Sequence, residues 1–248
     1  MKVPRIFIPR QLNVSSAFRL DDAALIHKLK DVLRLAIGAE LCVFDGKGRE
    51  YRCRIQSAEK KRMYLFVEAE EHNEATPSKT VHIGLPVIKE GRMETAIEKA
   101  TELGVDAIKI FCAERSFKKE ISPMRLERFR KIAAEASRQS ERNVVPGIIL
   151  QGRLKEFVAG SAGYDLRIFL ECRNPGEEEV RGLDIKKADA ILLIVGPEGD
   201  FTEAEKVLLR KNDFRPLHLP LPILRTETAA LFGVGLMKYL SSKEIRDA

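Results

Sequence analysis

Two short stretches near the C-terminal end hold residue types that could do chemistry. Gly196-Pro197-Glu198-Gly199-Asp200 follows the apolar run 191–195, and Ile223-Leu224-Arg225-Thr226-Glu227-Thr228-Ala229 follows Leu219-Pro220-Leu221-Pro222. Each stands between a strand-like and a helix-like pattern. In open α/β sheets the carboxyl ends of strands meet the amino ends of helices, and ligands bind in the crevice between them. Gly196 and Gly199 would let a ligand come close to the backbone, although an ordinary β-to-α turn explains the same residues. The loop lacks the Gly-Lys-Ser/Thr ending of a phosphate loop and the spaced glycines of a dinucleotide fingerprint. Arg225 precedes a helix start, where unpaired N–H groups already create positive potential. A cation there opposes the helix dipole, so it should face an anion or an electron-rich group. The alternative is a structural pair with Glu198 or Glu227.

Other polar groupings are less directive. Glu135, Gln139 and Arg142, at i, i+4 and i+7, would share one helix face, which could equally be a solvated face. Glu98, Lys99 and Glu102 form the kind of cluster that exposed helices commonly carry. The four cysteines, Cys42, Cys53, Cys112 and Cys172, are scattered without Cys-x-x-Cys spacing, and no histidines gather near them, so reduced thiols and no metal are expected. No Ser/His/Asp arrangement can be defended from spacing.

The elements that must position these residues fall into two textures. Residues 5–10 alternate as a strand. Asp21 and Asp22 precede an amphipathic helix marked by Leu25, Leu29 and Val32. Segments 40–44 and 50–55 alternate about Asp45-Gly46-Lys47-Gly48, a hairpin signal, and 63–69 is a further strand. Residues 1–72 therefore read as a small, basic, mostly β, barrel-like domain. The polar stretch 70–78 reads as a linker, which starts the second domain, 73–248, near its beginning.

In that second domain strands at 81–86, 105–112, 166–170, 190–195 and 216–219 alternate with helices. One helix is marked by Met93, Ala96, Ile97, Ala100 and Leu103 and closed by Gly104. A longer one starts at Ser122-Pro123 and buries Leu126, Phe129, Ala133, Ala136 and Ser140. Thr202 and Glu205 read as a capping box, and 226–240 as a terminal helix. Alternation of this kind predicts a mainly parallel sheet covered on both faces.

Composition bounds the partners. The 248 residues carry a net charge of +6, which favours an anionic partner, nucleic acid first. No run of about 18 apolar residues and no secretory apolar core occur, so a cytoplasmic protein without a membrane span is expected.

Five stretches taken together resemble one family. They are Gly196-Pro197-Glu198-Gly199; Ile223 through Ala229; Lys99-Ala100-Thr101-Glu102-Leu103-Gly104-Val105; Glu135-Ala136-Ser137-Arg138-Gln139-Ser140-Glu141-Arg142; and His27-Lys28-Leu29-Lys30-Asp31-Val32-Leu33-Arg34. The family is RsmE, the 16S ribosomal RNA uridine-N3 methyltransferases of the SPOUT superfamily. Resemblance implies an N-terminal PUA-like RNA-binding domain and a C-terminal α/β domain with a trefoil knot. It also implies S-adenosyl-L-methionine as donor, a homodimer, and 16S ribosomal RNA or the small ribosomal subunit as partner. By the same resemblance Leu170, Glu171, Gly196, Pro197, Gly199, Leu219, Ile223, Leu224, Arg225, Thr228 and Ala229 would hold the donor. Arg225 or Arg142 would stabilise the uridine anion, with Glu198 orienting it. Arg5, Arg10, Lys28, Arg34 and Arg115 are the candidate phosphate contacts.

Two departures stand out. Asp200 replaces a usual second glycine, and Leu219-Pro220-Leu221-Pro222 replaces a usual Leu-Gly-x-Arg. Neither proline has an N–H to donate. These departures leave room for rivals: an RNA-binding or assembly factor without turnover, or a SPOUT enzyme with another RNA target.

Overall fold

The computed structural model describes residues 3–59, 61–73, 79–117, 120–171 and 183–242. The chain divides into two compact units, Met1–Thr76 with Ser137–Val145, and Pro77–Ala136 with Pro146–Ala248. Segment Ser137–Val145 thus groups with the N-terminal residues, although it lies far from the expected range 1–72.

The first unit is a five-stranded sheet. Its strands are β1 (Arg5–Phe7), β2 (Ala17–Leu20), β3 (Glu40–Phe44), β4 (Arg49–Ala58) and β5 (Met63–Asn73), in the order β1-β3-β4-β5-β2. Only β1 and β3 pair in parallel; the other neighbours are antiparallel. The β3–β4 turn forms as the sequence predicts. Gly46 and Gly48 take φ of 78° and 106°, and Asp45 Oδ1 accepts from the N–H groups of Lys47 and Arg49. Alternate residues Leu41, Val43, Cys53, Ile55, Leu65 and Val67 fill the core.

The sequence reading is corrected at three points in this unit. The helix after Asp22 runs only through α1 (Ala23–His27) and continues as a π-helical stretch, Lys28–Val32. Leu33 N–H donates to Lys28 O, five residues back, so the wider turn rotates the apolar stripe. Ile26 and Leu29 are buried, whereas Val32 is 62% exposed. Residues 70–73, expected in a linker, extend β5 and pair with the start of β4, while 74–78 lie outside the described residues. Strand β2 has no counterpart in the sequence reading.

The second unit is built on β6 (Thr80–Pro86), β7 (Ala107–Cys112), β8 (Gly147–Arg153), β9 (Leu166–Glu171), β10 (Ala190–Ile194) and β11 (Phe214–His218). Their order is β11-β9-β10-β6-β7-β8, and every pairing is parallel. Helices α2 (Glu90–Glu102) and α6 (Thr226–Ser241) contact each other, and α6 packs on β6 and β10. Helices α4 (Leu154–Ala159) and α5 (Glu203–Lys211) meet Leu192 and Ile194 of β10 in a separate apolar cluster. Covered on two faces, β10 is apolar throughout, as a central parallel strand must be. Pro216 is tolerated because β11 is an edge strand.

Helix signals hold well here. Gly104 follows α2 with φ 91°, and Arg125 N–H donates to Ser122 Oγ at the start of α3 (Pro123–Gln139). Thr202 and Glu205 cap α5 reciprocally. Leu103, expected on the buried stripe of α2, is 42% exposed; Thr101 is buried instead. Strand β8 and helix α4 were not anticipated, since β8 is a largely exposed edge strand without alternation. Helix α3 ends at Gln139, so Arg142 does not continue the helical face of Glu135 and Gln139.

Helix α6 reaches the sheet because Gly233 lies against it. A Cβ there would collide with the Leu193 side chain and press on Leu170. Gly233→Ala should therefore destabilise by about 1–3 kcal/mol through overpacking, read as a lowered midpoint in thermal unfolding, whereas Gly235→Ala, which meets only Leu103 at 3.8 Å, should be near neutral.

Candidate active site

The two loops singled out in the sequence meet in the second unit. The turn after β10 closes through Asp200 N–H donating to Pro197 O at 2.8 Å. Thr226, the first residue of α6 and only 6% exposed, donates its Oγ1–H to Gly196 O at 3.0 Å. That bond fastens the second loop to the first across thirty positions of sequence. Between the loops lies a cavity of about 690 Å³. Leu170 and Glu171 at the end of β9 form one wall; Val195 and Phe201 are apolar wall residues. Ile223, Leu224 and Ala229 line it from the second loop and α6.

Charges are arranged around this cavity in pairs. Arg92 of α2 bonds Glu198 and approaches Glu227 at 3.7 Å. Lys206 of α5, 5% exposed, places Nζ 2.9 Å from Glu171 and 3.2 Å from Asp200. Burial opposes the Lys206 charge, but the bonds to Glu171 and Asp200 outweigh it and hold its pKa above the ordinary lysine value. Arg210 bonds the second Glu171 oxygen at 2.8 Å. Arg115 donates to Gly199 O. Arg225 is the N-cap residue of α6 with extended backbone, and its guanidinium makes no hydrogen bond or ion pair among the described residues.

Of the residues expected to hold the donor, all but Leu219 and Thr228 line this cavity. Leu219 borders an adjoining void of about 30 Å³, and Thr228 is exposed on the first turn of α6. Arg225 and Glu198 are also brought to the cavity, but not to each other: Glu198 pairs with Arg92, so it does not orient Arg225. Neither Glu198 nor Glu227 pairs with Arg225, because Arg92 sits between the helix start and the turn to neutralise both. Arg142 belongs to the first unit, where its carbonyl accepts from Arg5 at 2.9 Å.

The candidate phosphate contacts also separate. Arg5 is consumed by structure: it bonds Glu50, Ser137 O, Arg142 O and Asn143, and stacks 4.0 Å over Phe44. Arg10 and Arg34 are exposed in the first unit and Lys28 is half-buried there. Arg115 is a cavity residue of the second unit. Sequence reasoning missed Arg92 and Lys206. Each is one charge among several on a polar helix start, Arg92 beside Glu90 and Glu94 and Lys206 beside Glu203 and Glu205, so no local signal sets it apart.

Residues 75–238 match the RNA methyltransferase domain family, and residues 20–68 match the RNA methyltransferase PUA domain. The chain is 30% identical over 223 residues to ribosomal RNA small subunit methyltransferase E of Bacillus subtilis, covering 86% of this chain and 87% of that one. The chain belongs to the RsmE family. The Synechocystis member is 33% identical, covering 88% and 71% of the two chains. Among solved structures, the RsmE-type methyltransferase of Neisseria gonorrhoeae bound to S-adenosyl methionine superposes with a TM-score of 0.87 at 28% identity, covering 96% of this chain and 98% of that one. A Legionella pneumophila methyltransferase in complex with the same cofactor also gives 0.87, at 25% identity, covering 97% and 98%.

The geometry explains how this RsmE chain accommodates its departures. Asp200 has φ 62°, a left-handed conformation that suits glycine and that Asp tolerates better than most residues. Pro220 and Pro222 lie in an exposed loop and do not line the larger cavity. Its volume is in the range that buries a cofactor-sized ligand, and its apolar walls suit a purine. A Cβ at Gly196 would meet Asp200 and the Phe201 backbone at 3.1–3.2 Å, so the turn is shaped for a bare backbone. The residues present therefore fit the donor.

Arg92 holds two acids at once, and Glu227 is 12% exposed. Arg92→Ala should cost about 1–3 kcal/mol by leaving the Glu227 carboxylate buried without a cation. Chemical denaturation of that variant beside Arg92→Ala/Glu227→Gln, which should recover part of the loss, checks this.

Proposed function

We propose that the chain transfers the methyl group of S-adenosyl-L-methionine to N3 of a uridine in 16S ribosomal RNA, as a cytoplasmic homodimer with a knotted C-terminal domain. The observation that carries this reading is the cavity between the Gly196 turn and the start of α6 in a chain of the RsmE family. Support for self-association comes from apolar side chains left exposed on α6 and the loop before it, Ile223 at 74%, Phe232 at 43% and Tyr239 at 65%. No helix among the described residues is long and apolar enough to cross a membrane.

The donor, when bound, supplies an electrophilic methyl group on a sulfonium. The chain's own task is positioning and proton management. The Gly196 turn and the 223–229 segment would fix the donor so that sulfur, methyl and acceptor fall in line. Uracil N3 is protonated in neutral water and must lose its proton to attack. Favouring the anion a hundredfold takes about 2.7 kcal/mol. Arg225, which has no acidic partner among the described residues and sits at the positive end of α6, is placed to supply this by facing O2 or O4. Of the two arginines considered for this role it is the one that lines the cavity. The target base must be splayed out of any stack to enter, and Arg10, Lys28 and Arg34 of the PUA-like unit would hold neighbouring phosphates.

Arg225→Ala should lower single-turnover methylation by about 10²–10³-fold while donor affinity by calorimetry changes little. Mass mapping of ribosomal RNA from a deletion strain tests the target position directly: a loss of methyl at any site other than a uridine N3 would reject it. Replacing Arg10 or Arg34 with Gln should reduce the slope of log K against log salt by about one for small-subunit RNA; a slope that stays the same removes that residue from the contact set.

A further inference from the structure

Lys206 is the most buried cation bordering the cavity, and nothing in the chemistry above uses it. Its side chain is 7% exposed, yet it serves three carboxylates: Glu171 at 2.9 Å, Asp200 at 3.2 Å and Glu203 at 3.5 Å. Glu203 is solvated, with 86% side-chain exposure, and contributes little; Glu171 is 3% and Asp200 22% exposed. These two acids sit on different walls. Glu171 ends β9, and Asp200 is the left-handed corner of the turn after β10. A residue other than glycine at φ 62° needs its surroundings to hold it there. Here the hold is visible: one Asp200 oxygen accepts from Phe201 N–H at 2.8 Å and the other from Lys206.

We propose that Lys206 is a positioning residue of the donor pocket, tying the Asp200 corner to the end of β9 and so setting the separation of the two walls between which the donor lies. The proposal rests on reading this cavity as the donor site. It assigns Lys206 no contact with the reacting atoms. Removing the ammonium alone leaves two carboxylates facing each other across the pocket with, among the described residues, one counter-charge, Arg210, on the Glu171 side. Like charges there repel and draw water, so the turn should relax outward. Glycine at 200 would remove both the corner's strain and the orphaned acid.

The test is calorimetric titration of S-adenosyl-L-methionine into the full-length wild type, Lys206→Met, Lys206→Gln and the double variant Asp200→Gly/Lys206→Met, with circular dichroism to verify folding. Lys206→Met should bind about tenfold or more weakly, and the double variant should recover most of that loss, a coupling expected of groups in contact or in one ion-pair network. Recovery by a second substitution at its ion-pair partner is not what a general loss of stability would give. If Lys206→Met does not fold, Lys206→Gln, which keeps an N–H donor, should fold and show a smaller loss that the added Asp200→Gly reverses. Wild-type affinity in Lys206→Met, or a double variant as weak as the single, overturns the proposal while leaving the donor site intact. Failure of the wild type to bind the donor overturns both.

Discussion

The hydrogen bond from Thr226 to the Gly196 carbonyl is the clasp on which the site depends. It can form only because β9, β10 and β11 run parallel, so their carboxyl ends open on one edge of the sheet. A loop that follows β10 and a loop that follows β11 are then neighbours, although β9 stands between those strands in the sheet. Gly233 allows α6 to lie close to Leu193 and Leu170, which holds the start of that helix over the strand ends. Sheet direction, one small residue and one buried hydroxyl thus give the cavity its place.

Charge around the cavity is divided between restraint and readiness. Arg92 and Lys206 are bound to acids and act as braces, as do Arg210 and Arg115 through Glu171 and the Gly199 carbonyl. Arg225 stands apart from them, at the amino end of α6 where a cation gains nothing from the helix. An arginine left without a partner among the described residues, beside a cavity, is the kind of departure from local optimisation that function explains.

The sequence reading succeeded where a local cause operates. Asp45-Gly46-Lys47-Gly48, Ser122-Pro123, Thr202 with Glu205, and Gly104 each carry their own backbone chemistry, and each does in the structure what that chemistry requires. It failed where long-range packing overrides periodicity. The π-helical stretch after α1 turned Val32 outward, and β8 shows no alternation because most of its side chains are exposed on an edge. The candidate residues divide by the same rule. Those written into the two loops, Leu219 and Thr228 apart, reached the cavity, while Arg142, inferred from a helical face that the chain does not continue, did not.

What the sequence determined by itself was therefore most of the elements, though not β2, β8 or α4, the two loops with their special residues and, through their motifs, the family. Each is encoded within a few consecutive positions. Only the tertiary structure decided which charge answers which. Arg5 was drawn into a web with Glu50 and Asn143, Glu198 was taken by Arg92 rather than Arg225, and Asp200 found its counter-ion in Lys206. Ion pairs form between side chains a few ångströms apart in space, and separation along the chain carries almost no information about that distance.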